Sequence, residues 1–122
     1  RVEKGWGHEL WIHNDELYCG KLMSFSAGKK CSVHYHKVKH ETFFLQSGCL
    51  KVRYCTVEDM LHASFAGKDP RSVFKNITMN AGDRLELPPW TVHQMLAEVD
   101  SILYEFSTEH FENDSYRLER GD

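Results

Sequence analysis

Gly28-Lys-Lys-Cys31-Ser-Val-His34-Tyr-His36-Lys-Val-Lys-His40-Glu41, followed by six residues and Gly48, is the stretch whose reading decides the fold. His34 and His36 are two residues apart, and side chains at that spacing on a strand leave from one face. Both imidazoles therefore point to one place. Glu41 follows five residues later, after a turn predicted through Lys37 to Lys39, so that the next strand can return a carboxylate to the same point. A fourth donor closes Gly82-Asp-Arg-Leu-Glu-Leu-Pro88-Pro89-Trp90-Thr-Val-His93, in which two prolines set a bend and His93 opens the strand beyond it. Three imidazoles and one carboxylate suit a borderline divalent ion, zinc first and iron, manganese, nickel or cobalt as alternatives. They disfavour a calcium or magnesium site. Any one of these histidines alone has a plainer explanation, a half-exposed strand residue. Four donors at matched intervals do not.

The rest of the chain supports strands around this stretch. Turn signals recur at Asn14-Asp15, Ser26-Ala27-Gly28, Ser47-Gly48, Ala66 to Pro70, Asn80 to Asp83 and Pro88-Pro89, and the segments between them are of strand length. Leu50 to Tyr54, Leu85 to Leu87 and Leu103 to Phe106 alternate apolar and polar residues, as antiparallel strands with one wet face do. Val57 to Phe65 has helix-like spacing but is short, and is expected to be a loop or a single turn within a long connection from Glu58 to Pro70. Many short strands in 122 residues, 41% of them hydrophobic, imply an all-β double sheet closed like a barrel, because a single open sheet would leave an apolar face bare. One domain, residues 1–122, is expected: a metal-binding core over about 21–106, an N-terminal strand segment 1–13 and a C-terminal tail 107–122.

Composition excludes some functions. Fifteen basic against eighteen acidic residues provide no field for a phosphate backbone, so nucleic acid is not an expected partner. No apolar run approaches the roughly 20 residues that span a bilayer, and no membrane partner is expected. The four cysteines, Cys19, Cys31, Cys49 and Cys55, form no CxxC pair and read as free thiols in a reducing cytoplasm. The chain opens on Arg1 with no charged-then-apolar leader, and its start is expected to be trimmed.

The two histidine stretches resemble the motifs of the cupin superfamily. Gly28, His34, His36, Glu41 and Gly48 match every defined position of G-x5-H-x-H-x4-E-x6-G. Gly82, Pro88 and His93 match G-x5-P-x-G-x2-H-x3-N, with Trp90 and Ala97 in place of its glycine and asparagine. Those departures touch turn chemistry, not ligands. The resemblance implies a single-domain cupin-type jelly roll. Val2-Glu-Lys-Gly5-Trp6-Gly7-His8-Glu9 is similar to the V-x-K-P-W-G-x-E opening of the type II phosphomannose isomerase cupins, and Asp114-Ser-Tyr116-Arg117-Leu-Glu-Arg120-Gly121 resembles their D-x-x-R-x-E closing segment. His34 stands where that group has glutamine. What this implies is a metal-dependent aldose–ketose isomerase of mannose 6-phosphate or a related sugar, and a homodimer joined through the N-terminal segment up to Trp11.

In such chemistry a bound divalent ion polarises a sugar carbonyl while a base moves the proton on the adjacent carbon. Glu105 is the candidate base: with odd positions inward it shares a face with Leu103 and Ser107, and desolvation is expected to raise its pKa. The alternative is an outward charge on a wet face. Lys21 and Lys30 are further candidates, each with a solvated surface residue as its alternative. Arg117 matches the arginine to which the family ascribes phosphate binding or transition-state stabilisation, and its planar fork suits either task. His40 is expected to face away from the metal. Some of Trp6, Trp11, Tyr35, Phe43, Phe44, Tyr54 and Trp90 can stack a sugar, though small barrels fill their cores with such residues. A non-haem iron dioxygenase, a metal-assisted lyase and a non-catalytic metal or sugar binder are the competing functions.

Overall fold

The computed structural model describes all of residues 1–122. Eleven strands run in chain order: β1 (Val2–Lys4), β2 (Gly7–Asn14), β3 (Cys19–Phe25), β4 (Val33–Tyr35), β5 (Glu41–Ser47), β6 (Cys49–Thr56), β7 (Lys75–Asn80), β8 (Arg84–Leu87), β9 (Thr91–Ala97), β10 (Ser101–Ser107) and β11 (Tyr116–Glu119). They form two antiparallel sheets, β1-β2-β3-β10-β5-β8 and β11-β4-β9-β6-β7. The all-β double sheet expected from the turn spacing is what the chain adopts.

Alternation decides which side chains enter. Along β3, Lys21, Met23 and Phe25 are buried, and along β10 the buried positions are Ser101, Leu103 and Glu105. One apolar cluster, including Phe25, Phe43, Leu45, Leu50, Val52, Met79, Met95 and Leu103, fills the space between the sheets. Burying a side chain such as Leu45 or Leu103, both with no exposed surface, stabilises by about 1.5–3 kcal/mol. The core occupies one end of the barrel. Polar residues line the other, and the inward positions Lys21 and Glu105 pair across β3 and β10 at that end.

The segment expected to be a loop is a helix. α1 spans Val57–Phe65, capped by Thr56, whose Oγ1 accepts from the Asp59 N–H at 3.0 Å, with Glu58 and Asp59 in the first turn. Nine residues are marginal in isolation, but Val57 and Met60 pack on Val33, Cys55 and Val92 of the second sheet, and Val73 and Phe74 complete that cluster. A cap and a tertiary surface together overcome the length penalty. This cover buries Val92 on the outer face of β9, where Gln94 is engaged instead by Arg53 and the Cys31 carbonyl. α1 is the longest helix, and no helix is long and apolar enough to cross a membrane.

The turn before β9 keeps the shape that its missing glycine would provide. Trp90 itself takes φ +66°, a left-handed conformation costly for a side chain with a Cβ. Its N–H donates to the His36 carbonyl at 2.7 Å and its carbonyl accepts from Val57 at 3.0 Å. The departure from the motif thus changes the residue and not the turn.

Candidate metal centre

Register brings the four predicted donors together. His34 on β4 is the Cα partner of His93 on β9, which sets their side chains next to each other on the inner face. His36 follows β4 and Glu41 opens β5. One nitrogen from each of His34, His36 and His93 lies within 4.8 Å of the others. Glu41 stands beside them, Oε1 3.5 Å from His36 Nε2 and Oε2 3.6 Å from His93 Nε2. These separations exceed a good hydrogen bond and lie close to the roughly 3.0–3.4 Å expected between ligands about 2.1 Å from a shared ion.

The outward nitrogens are all engaged. His34 Nδ1 contacts the Ser32 carbonyl at 3.0 Å, His36 Nδ1 the Asp114 carbonyl at 2.6 Å, and His93 Nδ1 the Thr91 carbonyl at 3.1 Å. A carbonyl only accepts, so each Nδ1 carries the proton and each Nε2 keeps its lone pair for the cluster. Burial pushes His34 well below the ordinary histidine range, lowers His36, and pushes His93 down to about 4. The imidazoles are neutral at neutral pH, the state in which they bind a divalent ion. Glu41 shifts the other way, up to about 8, because it is buried and then because Glu105 is near, against the opposing pull of Lys39. This donor set fits a divalent metal.

Opposite the imidazoles lies an ionic group. Lys39 is buried, with Nζ 2.6 Å from Glu105 Oε2, 3.5 Å from Glu41 Oε1 and 2.9 Å from His110 Nδ1. Ser107 Oγ donates to Glu105 Oε2 at 2.9 Å. The inward orientation expected of Glu105 is what the structure shows, but the expected rise in its pKa is not. Burial raises it, yet Lys39 and then Lys21 outweigh burial and hold the carboxyl below its ordinary range. The same pairing holds Lys39 above the ordinary lysine range against burial. Burial, with Lys39 and Lys21 behind it, pushes His110 down to about 4.

One cavity of about 690 Å³ contains His34, His36, Glu41, His93, Glu105, Lys21 and Arg117 in its lining. Lys21 is buried, its Nζ 3.9 Å from Glu9 and 4.1 Å from the centre of the Trp11 ring. Arg117 is the register partner of His34 across β4 and β11. Lys30, named with Lys21 as a further base, is instead exposed and outside this cavity. His40 points away and pairs with Glu86 at 2.8 Å. Of the aromatic residues, Trp6, Trp11 and Phe43 line the cavity, whereas Tyr35 and Trp90 stack on each other outside it, 5.8 Å apart. Sequence reasoning missed Lys39, His110 and Glu9. Lys39 lies in the turn between β4 and β5, outside the strand period that fixes Glu41. Nothing local marks His110.

No protein-family model matches the chain, and no curated protein matches it. Solved structures do. The capsular polysaccharide assembling protein CapF from Staphylococcus aureus superposes with a TM-score of 0.76 at 18% identity, over 95% of this chain and 31% of CapF. The chain has the cupin fold. KdgF from Halomonas sp. shares this cupin architecture with a TM-score of 0.65 at 14% identity, over 86% of this chain and 82% of KdgF. So does the oxalate decarboxylase of Bacillus subtilis in a structure concerned with its Mn(II) centres, with a TM-score of 0.64 at 16% identity, over 84% of this chain and 24% of the decarboxylase. The chain spans about a third of CapF and a quarter of the decarboxylase.

Proposed function

We propose that this chain is a metal-dependent aldose–ketose isomerase acting on a sugar phosphate of the mannose 6-phosphate type. The reading is carried by one cavity that joins a three-imidazole, one-carboxylate cluster to a buried, ionised carboxylate and an arginine. A divalent ion held by His34, His36, Glu41 and His93, with zinc or manganese the first choices, would supply electrophilic polarisation of the sugar carbonyl.

The chain's own residues do the rest. Glu105, kept ionised by Lys39 at 2.6 Å, is in the basic form at neutral pH and accepts the proton from the carbon next to the carbonyl. It then returns that proton to the neighbouring carbon. Lys39 balances the charge of Glu105 as it changes, and its pairing also keeps a second charge near Glu41. Lys21, buried on the same side, donates to a substrate oxygen. Arg117 receives the phosphate: its neighbour Glu119 is taken by Arg53 at 3.2 Å and by Arg71 at 3.6 Å, which leaves the Arg117 guanidinium to an incoming anion.

The test is incubation of the metal-loaded protein with mannose 6-phosphate in deuterated water. Formation of the ketose phosphate, with deuterium incorporated beside the carbonyl and no oxygen uptake, is the expected result. Oxygen consumption or β-elimination from a small acid or sugar, with no isomerisation, overturns it in favour of a dioxygenase or a lyase. Equal turnover of mannose and mannose 6-phosphate overturns the role of Arg117 alone.

A further inference from the structure

The C-terminal segment is tied to the main chain around the centre at Asp114. Asp114 is 5% exposed and lies just before β11. Its carboxylate accepts from three consecutive main-chain N–H groups, Oδ1 from Lys37 at 2.8 Å, both oxygens from Val38 at 3.2 Å, and Oδ2 from Lys39 at 3.0 Å. Its main-chain carbonyl accepts the Nδ1 proton of His36 at 2.6 Å. Its own N–H donates to the Phe111 carbonyl at 3.0 Å, within a short turn over Glu112–Asp114. Successive N–H groups curled around an anion form a concave binding nest, and here the anion belongs to the chain itself.

We propose that Asp114 is a positioning residue that sets the metal centre from the tail. Two groups on opposite sides of the cavity depend on it. One is His36, whose tautomer and ring orientation follow from the partner of its Nδ1. The other is Lys39, whose backbone is fixed by Oδ2 and whose ammonium bridges Glu105 and Glu41. Because both contacts come from one residue, a shift at Asp114 turns the imidazole and moves the ammonium together. The charged oxygens matter as well as the shape. An asparagine keeps the volume but turns an amide N–H₂ toward N–H groups that need acceptors, so the nest opens.

This inference rests on the reading of the histidine cluster as a metal site, and the experiment separates the two. The full chain and Asp114→Asn are stripped of metal and titrated with Co(II), following affinity and the visible absorption of the bound ion. The wild type is expected to bind Co(II) with a defined spectrum. Asp114→Asn is expected to bind about 10–100-fold more weakly, with altered band positions and intensities, while its far-ultraviolet circular dichroism stays that of the wild type. Equal affinity and an unchanged spectrum in the variant overturn the role of Asp114 and leave the metal site standing. A wild type that binds no Co(II) overturns both. If the variant does not fold, the metal-free wild type decides by nitrogen and amide NMR. A His36 protonated at Nδ1, with slowly exchanging amides at Lys37, Val38 and Lys39, is expected. An Nε2-protonated His36 or freely exchanging amides overturn the inference.

Discussion

The two walls of the cavity are both largely enclosed, His34 alone being half-buried, and have opposite electrical states. On one wall His34, His36 and His93 have carbonyl partners for Nδ1, and burial strips them of charge. On the other, Glu105 and Lys39 are as deeply buried, yet each keeps its charge because the other lies 2.6 Å away. Burial alone neutralises a group, whereas burial with a close counter-charge preserves it. Glu41 stands between the walls, contacting two imidazoles and Lys39, and it shows burial winning. The site therefore offers neutral donors to a cation and an ionised base to a substrate a few ångströms apart.

The largest effect comes from breaking the neutral wall. His93 is fully enclosed and is the register partner of His34, so His93→Ala removes a donor that nothing nearby replaces. Divalent-metal affinity is expected to fall by more than about 100-fold, and any metal-dependent turnover with it, as calorimetric titration of the metal-free protein shows. A variant that binds as the wild type does removes His93 from the site.

Breaking the ionic wall costs stability. Lys39→Met leaves Glu105 buried without its closest ammonium and with only Lys21 to oppose burial, a loss of about 3–5 kcal/mol to be read from urea unfolding. Adding Glu105→Gln removes the stranded charge and returns part of that loss, so the two substitutions are less than additive. Strict additivity would mean that the pair does not interact.

Glu41 sharpens the comparison through pH. Its folded-state pKa is raised to about 8, and only its carboxylate binds a cation, so a proton competes below that value. Metal affinity is expected to rise about tenfold per pH unit up to about pH 8 and then level off. The imidazoles add little to this slope near neutrality, since burial lowers all three and takes His93 down to about 4. In Glu41→Gln the slope is expected to vanish. A slope that persists in this variant assigns the competing proton to another group.

The smallest effect lies outside both walls. Trp90→Gly relieves a left-handed backbone worth about 1–2 kcal/mol and loses the stack on Tyr35, worth about 0.5–1.5 kcal/mol. The net change in stability is expected to be within about 1 kcal/mol, with metal affinity unchanged. A weakened metal site would show that the Trp90 side chain helps to hold the turn that bonds His36.

These walls also differ in how far the sequence reveals them. His34, His36 and Glu41 were legible because a two-residue period and one short turn bring them together, and His93 because prolines mark the bend before its strand. The double sheet was legible from the same period. Lys39 was not legible because it lies in the turn before β5, and only the pairing with Glu105 and the hold of Asp114 on its backbone turn it inward. His110 and Asp114 meet the site across 71 and 77 positions of chain, a distance over which local pattern carries no information. The pKa of Glu105 could not be read without Lys39, because its sign depends on which of burial and charge is larger. α1 was underrated because its stability comes from Val33, Cys55 and Val92, residues on other elements.

The most direct test of the central claim is elemental analysis of the full chain after exposure to divalent metals and removal of the excess, side by side with His93→Ala. A single divalent ion is expected to be retained per wild-type chain and almost none in the variant. A wild type that retains no metal, or a variant that retains as much, contradicts it.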